Sequence, residues 1–211
     1  MQEFASLLGI GTTLFIGAAS PGPSFVMVAR TAASSGRPNG LNAALGMGLG
    51  ALIFAVASLL GLNAVFLAVP ALYLALKVFG GLYLAYLGFC IWRGAMQPFE
   101  VSVSAKSEGS THRQSYWLLG LTTQVSNPKT AIVYASVFAA FLPTSPSIQY
   151  NIAVVALVFC IEAGWYAIVA TALSSEAPRS TYLRYKKWVD RCAGGIMGAL
   201  GLKLASSVIR D

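Results

Sequence analysis

The sequence predicts an all-α integral membrane protein with about six transmembrane helices, and three observations carry that prediction. Of 211 residues, 56% are hydrophobic and only 10% charged, with a mean hydropathy of +0.69; a soluble domain carries about 25% charged residues. Six apolar stretches are each long enough to cross a hydrocarbon core of about 30 Å at about 1.5 Å per helical residue. The basic residues fall in alternate connections between those stretches. A water-soluble fold of this length would leave too much apolar surface uncovered. The length fits one transmembrane domain over residues 1–211 with no separate soluble unit.

The first stretch covers about 4–29. It opens with Met1-Gln2-Glu3-Phe4 and lacks the positive n-region of a signal peptide, so it reads as a mature first helix. The second and third, about 40–66 and 71–93, are separated by little more than Pro70 and form a tight hairpin. The fourth and fifth, about 116–142 and 148–173, are joined through Pro143-Thr144-Ser145-Pro146, and the sixth covers about 192–209. Arg30 and Arg37 lie between the first two spans, Arg93, Lys106 and Arg113 between the third and fourth, and Arg179, Arg184, Lys186, Lys187 and Arg191 between the fifth and sixth. The two hairpin loops contain no Lys or Arg. The positive-inside rule then puts the three basic connections, including a polar 94–115 loop, in the cytoplasm and both termini outside.

The net charge of +7 is therefore a topology signal. Nucleic-acid binding would need a basic face with base-reading side chains on a soluble scaffold, and no such pattern occurs. Cys90, Cys160 and Cys192 lie far apart in apolar runs, with no C-x-x-C pair, and read as small core residues. No cofactor or metal is expected. His112 in the 94–115 loop has no ligand-like neighbour.

A weak repeat relates the two halves, about 4–93 and 116–211. Ser20-Pro21-Gly22-Pro23 in the first span matches Ser126-Asn127-Pro128-Lys129 in the fourth, each preceded by a Thr pair, Thr12-Thr13 and Thr122-Thr123. Lys77-x-x-Gly80-Gly81 with Gly88 in the third matches Arg191-x-x-Gly194-Gly195 with Gly201 in the sixth. Three-helix repeats enter the membrane in opposite directions, so the expected plan is two inverted repeats with the first and fourth helices broken.

Those breaks are the centre of the functional reading. Proline in a helix interior removes a donor and clashes with the preceding turn, at about 3 kcal/mol or more. In hydrocarbon the freed carbonyls find no water, so a break persists only where protein or a wet cavity satisfies it. Ser20 ahead of Pro21 and Pro23, and Asn127 ahead of Pro128, have the pattern of a cap followed by proline in the first turn of a helix. Read this way, two half-helices start inside the membrane and direct N–H groups and positive dipole ends at a common region beside Lys129. The candidate substrate-binding residues are Ser20, Pro21, Gly22, Pro23, Ser24, Ser126, Asn127, Pro128, Lys129 and Glu162. The alternative is a pair of ordinary kinks rescued by neighbouring helices.

Glu162 reads as the only acidic residue deep within a span, where a charge costs about 2.5–3.5 kcal/mol on insertion scales. It is a candidate seat for a substrate ammonium or a coupling proton; the structural alternative is a pair with Lys129 or Lys77, or a place near the interface. Lys77 reads as structural, and Lys203 and Arg210 as outer anchors. Gly46-x-x-x-Gly50 and Gly194-x-x-x-Gly198 permit close helix approach, within the protomer in preference to a homodimer contact. Tyr73, Tyr83, Trp92, Trp117, Tyr134 and Trp165 read as belt or core residues.

Several of these segments together resemble the lysine exporter and homoserine/threonine exporter (LysE/RhtB) family. The resemblance rests on Pro21-Gly22-Pro23 followed by Arg37, Gly40, Leu41, Ala43, Ala44, Leu45 and Gly46. It extends through Lys77, Gly80, Tyr83, Leu84, Tyr86 and Gly88, and through Asn127-Pro128-Lys129 ending in Leu142-Pro143, so it covers nearly the whole chain. It implies a six-helix bacterial inner-membrane exporter of amino acids or close derivatives, driven by the proton or another ion gradient. It also implies that Pro21, Pro23, Asn127 and Pro128 belong to kinked or re-entrant elements near the path. Many members carry Asp just after the glycine matching Gly50, where this chain has Ala51; the departure turns attention to Glu162 and argues against a dibasic substrate. The expected partners are a small amino-acid substrate, membrane lipid and the coupling ion. The rival readings are a passive channel for small solutes, a membrane-embedded enzyme or electron carrier, and a structural scaffold.

Overall fold

The computed structural model describes residues 2–20, 22–68, 70–95, 115–143 and 145–207. The described residues form eight helices and no strand: α1 (Gln2–Ala19), α2 (Pro23–Ser35), α3 (Arg37–Ala68), α4 (Pro70–Gly94), α5 (Tyr116–Val125), α6 (Pro128–Phe141), α7 (Ile148–Leu173) and α8 (Glu176–Ser207). The first predicted span is therefore the broken pair α1–α2, whose halves meet at 57°, and the fourth is the pair α5–α6. Among the described residues, Arg37–Gly61 and α7 are long and apolar enough to cross a membrane, and the α1–α2 pair makes a third such unit. The α5 and α6 pieces are too short singly. The expectations for Pro21, the 96–114 stretch with His112, Arg210 and the side chains of Tyr73 and Lys77 lie outside the described residues.

Sequence and structure differ at α8. The helix begins at Glu176, whereas hydropathy placed the sixth span at about 192. Arg184, Lys187 and Arg191 thus lie on a helix, where the basic residues lower the hydropathy without interrupting the backbone. That extension also carries Asp190, 3% exposed, so Glu162 is not the only buried acid.

Packing follows helix periodicity. On α7 the buried residues Tyr150, Val154, Val158, Glu162, Tyr166 and Ala170 recur every four positions, a single inward stripe on which the carboxylate is one member. The outward faces carry large apolar side chains such as Leu60, Phe79, Ile152 and Ile168, as lipid contact requires. The three cysteines are exposed on these outward faces, which corrects the core assignment: an apolar run does not say which side of a helix a residue occupies.

Close helix contacts rest on glycine. A Cβ at Gly46 would overlap the Trp117 carbonyl, one at Gly120 the Ala43 carbonyl, and one at Gly50 would lie 2.7 Å from Gln124 Cβ. These contacts set α3 directly on α5. A Cβ at Gly194 would lie 2.6 Å from the Gly88 carbonyl, and one at Gly201 would lie 2.5 Å from that of Gly81, joining α4 to α8. Gly46, Gly50 and Gly194 are therefore used within the chain, whereas a Cβ at Gly198 would meet nothing. Gly36, at φ 86°, turns α2 into α3 in a conformation that favours glycine.

Two apolar clusters result. One gathers Ile10, Leu14, Val133, Val137, Val154 and Val158 from α1, α6 and the first half of α7. The other gathers Phe25, Val28, Ala43, Met47, Tyr166 and Val169 from α2, the start of α3 and the second half of α7. The helix breaks lie between them.

Candidate functional site

The half-helices pair across the two breaks. α1 lies against α6, where the Ser6 hydroxyl donates to the Phe141 carbonyl at one end and the Lys129 ammonium donates to the carbonyls of Gly17 (3.3 Å) and Ser20 (3.2 Å) at the other. α2 lies against α5, where Tyr116 OH donates to Ser35 Oγ (3.1 Å) and Ser24 Oγ donates to Gln124 Oε1 (2.9 Å). Each pair is thus joined at its far end and at the break. One bond crosses between the pairs, from Asn127 Nδ2 to Ser24 Oγ at 2.9 Å.

The local chemistry of the two helix starts differs. Asn127 caps α6, its Oδ1 accepting from the Lys129 backbone N–H at 3.0 Å, with Pro128 in the first turn; such a cap contributes about 1 kcal/mol. At α2 the expected Ser20 cap is not made. Gly22 occupies the cap position with extended backbone and no side-chain bond, and Pro23 begins the helix. Ser20 is 2% exposed, and its hydroxyl has no hydrogen-bond partner among the described residues. Two prolines so close together move the helix start two residues beyond the serine, out of reach of its side chain.

Glu162 is the hub of the polar network. Its Oε1 accepts from Tyr134 OH and its Oε2 from Gln124 Nε2, both at 3.1 Å. Hydrogen bonds to an ionised group contribute about 1.5–3 kcal/mol each, so two of them match the cost of an acid at this depth. One oxygen is held from α6 and the other from α5, so the carboxylate bridges both half-helix pairs. It forms no ion pair with Lys129 at contact distance; the lysine feels the charges of both Glu162 and Asp190 from further away.

Ser20, Gly22, Ser24, Asn127, Lys129 and Glu162 all line one cavity, with Leu14 and Tyr134 on one side and Phe25 and Tyr166 on the other. The space open to water is about 20 Å³, room for about one molecule. Of the remaining candidates, Pro23 and Pro128 start helices and face away, and Ser126 is the exposed C-cap of α5. Pro21 lies outside the described residues.

The sequence reading missed Gln124 and Tyr166 and classed Tyr134 with belt and core. Spacing held the missing signal: Tyr166 lies one turn beyond Glu162, Tyr134 one turn beyond Thr130, and Gln124 in the last turn before the second break. Ala51 is fully buried in the first apolar cluster, so this position is core here.

The LysE type translocator family model matches residues 15–208. The chain is 32% identical over 188 residues to the threonine efflux protein of Escherichia coli (strain K12), covering 89% of this chain and 91% of that protein. It is 31% identical, with the same coverage, to the threonine efflux protein of Salmonella typhi. It is 29% identical over 196 residues to an uncharacterized membrane protein of Haemophilus influenzae, covering 92% and 93% of the two chains. No solved structure matches the chain significantly.

Proposed function

Because this chain belongs to the LysE type translocator family of multi-pass helical membrane proteins, we propose that it is a secondary-active exporter of a small amino acid or derivative, driven by the proton gradient across the bacterial inner membrane. The observation that carries the proposal is the convergence of both helix breaks, Lys129 and Glu162 on one narrow cavity between two apolar clusters. The N-terminal ends of α2 and α6 offer N–H groups to a carboxylate, and Glu162 takes the ammonium or a proton. The named relatives support threonine or another small neutral amino acid.

A cavity with room for one water is too small for an amino acid. Its apolar lining, Leu14 and Tyr134 from one cluster and Phe25 and Tyr166 from the other, supports a space that widens on one side at a time.

In the proposed architecture the chain is one transmembrane domain of six spans in two inverted repeats, α1–α4 and α5–α8, with both termini outside. The pairing supports it: α4 packs chiefly on α8, and α3 packs on α7 as extensively as on α5, so each of these helices meets its own counterpart. The match is partial, since α3 lies closer to α5 than α7 does to α1.

The test is efflux from preloaded vesicles over a panel of amino acids, with and without a proton gradient. One charge moving down the potential supplies about 2.3 kcal/mol per 100 mV. Saturable, uphill export that stops when the gradient collapses, and fails in Glu162→Gln, is the expected result. Downhill, unsaturable flux would replace the exporter with a channel, and undiminished gradient-driven export by Glu162→Gln would remove that acid from the mechanism.

A further inference from the structure

A helix end inside a membrane is an electrostatic object. α1 stops at Ala19, and its last carbonyls have no following turn to accept from. They carry the negative end of the helix dipole, where a cation is favoured. In this protein the group on them is the Lys129 ammonium, donating to Gly17 O and Ser20 O from the opposite half of the chain. The Ser20 hydroxyl, buried and without a partner among the described residues, lines the same cavity. Glu162 and Asp190 add negative charge nearby. Oxygen ligands, a helix C-terminus and two carboxylates make a site for a small monovalent cation.

We propose that the broken end of α1 is a monovalent-cation site filled from within by Lys129, so that the protein holds its own tethered cation where an alkali ion or a small primary ammonium would otherwise bind. The site consists of Gly17 O, Ser20 O and Ser20 Oγ. Gly22 leaves the space the side chain needs: a Cβ there would lie 3.4 Å from Lys129 Nζ and 3.5 Å from its Cδ. An intact wild-type protein then has no requirement for sodium or potassium at this place. Removing the lysine creates the requirement.

The experiment is thermal unfolding of purified full-length Lys129→Ala in detergent, titrated with sodium, potassium or methylammonium chloride against choline chloride at matched ionic strength. The expected result is a lowered Tm that small cations raise by several degrees, saturably, as ligand binding to the folded state requires. Choline, too large for the cavity, should do nothing. Wild type should show no cation-specific shift, and Lys129→Ala combined with Ser20→Ala should need higher concentrations for the same rise. Lys129→Ser, which also vacates the place of the ammonium, provides the same test should the alanine variant not fold. A variant that responds to no cation, or a wild type that responds as strongly as the variant, overturns the proposal. No transported solute enters the measurement, so its outcome is separate from that of the exporter reading.

Discussion

Two sets of hydrogen bonds at the breaks hold opposite halves of the cavity, and cutting them separately should open opposite sides. The Lys129 bonds to Gly17 and Ser20 join α1 to α6; the Ser24 bond to Gln124 joins α2 to α5. Ser24→Ala removes that bond and the one Ser24 accepts from Asn127. Hydrogen bonds between membrane helices average about 0.6 kcal/mol with a maximum of about 1.7, so the pair amounts to about 1–2 kcal/mol, a factor of about 5–30 in population. Lys129→Met removes two bonds from a charged donor and its attraction to the α1 dipole. Offset by the lysine's own desolvation, the net change is about 1–3 kcal/mol, or about 5–150-fold. The assay is thiol labelling in detergent at single cysteines replacing Val28 on α2 and Ile10 on α1, both fully buried, with the three native cysteines changed to alanine. Ser24→Ala should accelerate labelling at position 28 alone, and Lys129→Met at position 10 alone. Both variants accelerating the same position, or neither changing either rate beyond about twofold, would refute the separation of the two halves.

Further outcomes follow from the same contacts. A double-mutant cycle between Gln124→Leu and Glu162→Gln should give a coupling of about 1 kcal/mol in detergent unfolding, because the two side chains bond directly; additivity would mean that they do not. Asn127→Ala should cost about 1 kcal/mol for the lost cap besides the crossing bond, while Asn127→Ser, which retains a capping oxygen, should lose less, as read by thermal unfolding. Gly46→Val should destabilise by about 1–3 kcal/mol, because its Cβ overlaps the Trp117 carbonyl, and should reduce export by displacing α5 and Gln124. Replacing Cys90, Cys160 and Cys192 with alanine should leave unfolding within about 1 kcal/mol of wild type, since all three are exposed.

What could be read from the sequence was set by which physical signal is local. Proline cannot continue a helix already under way and is tolerated only in its first turn, so both interruptions were visible at Pro21-Gly22-Pro23 and Asn127-Pro128. The cap at Asn127 was visible too, because one proline follows it directly. The cap assigned to Ser20 failed because two prolines left the helix start undecided, and Gly22 holds it. Hydropathy locates apolar backbone in lipid but is blind to a helix carrying charges, and so it missed the first half of α8 and with it Asp190. Gln124 and Tyr134 were hidden for another reason. Their polar atoms matter only through Glu162, and the contact between α5, α6 and α7 depends on glycine packing between α3 and α5 that no single segment encodes.

One interrupted helix would not give such a site. A single break brings the negative end of one half-helix close to the positive end of the next, and the two fields largely cancel. Two breaks brought together separate the roles. Here the carbonyl end of α1 is occupied by a lysine from α6, and the Ser24 hydroxyl at the start of α2 is occupied by a glutamine from α5. Each first-turn residue therefore reaches past its own break to the partner half-helix. On the proposed function, a zwitterion entering this space offers a carboxylate to Lys129 and the N–H ends, and an ammonium to the carbonyls and Glu162, so it competes for the partners that hold each side closed. Binding and opening then draw on the same few contacts, and this is the differential interaction between states that any ligand-driven shift requires.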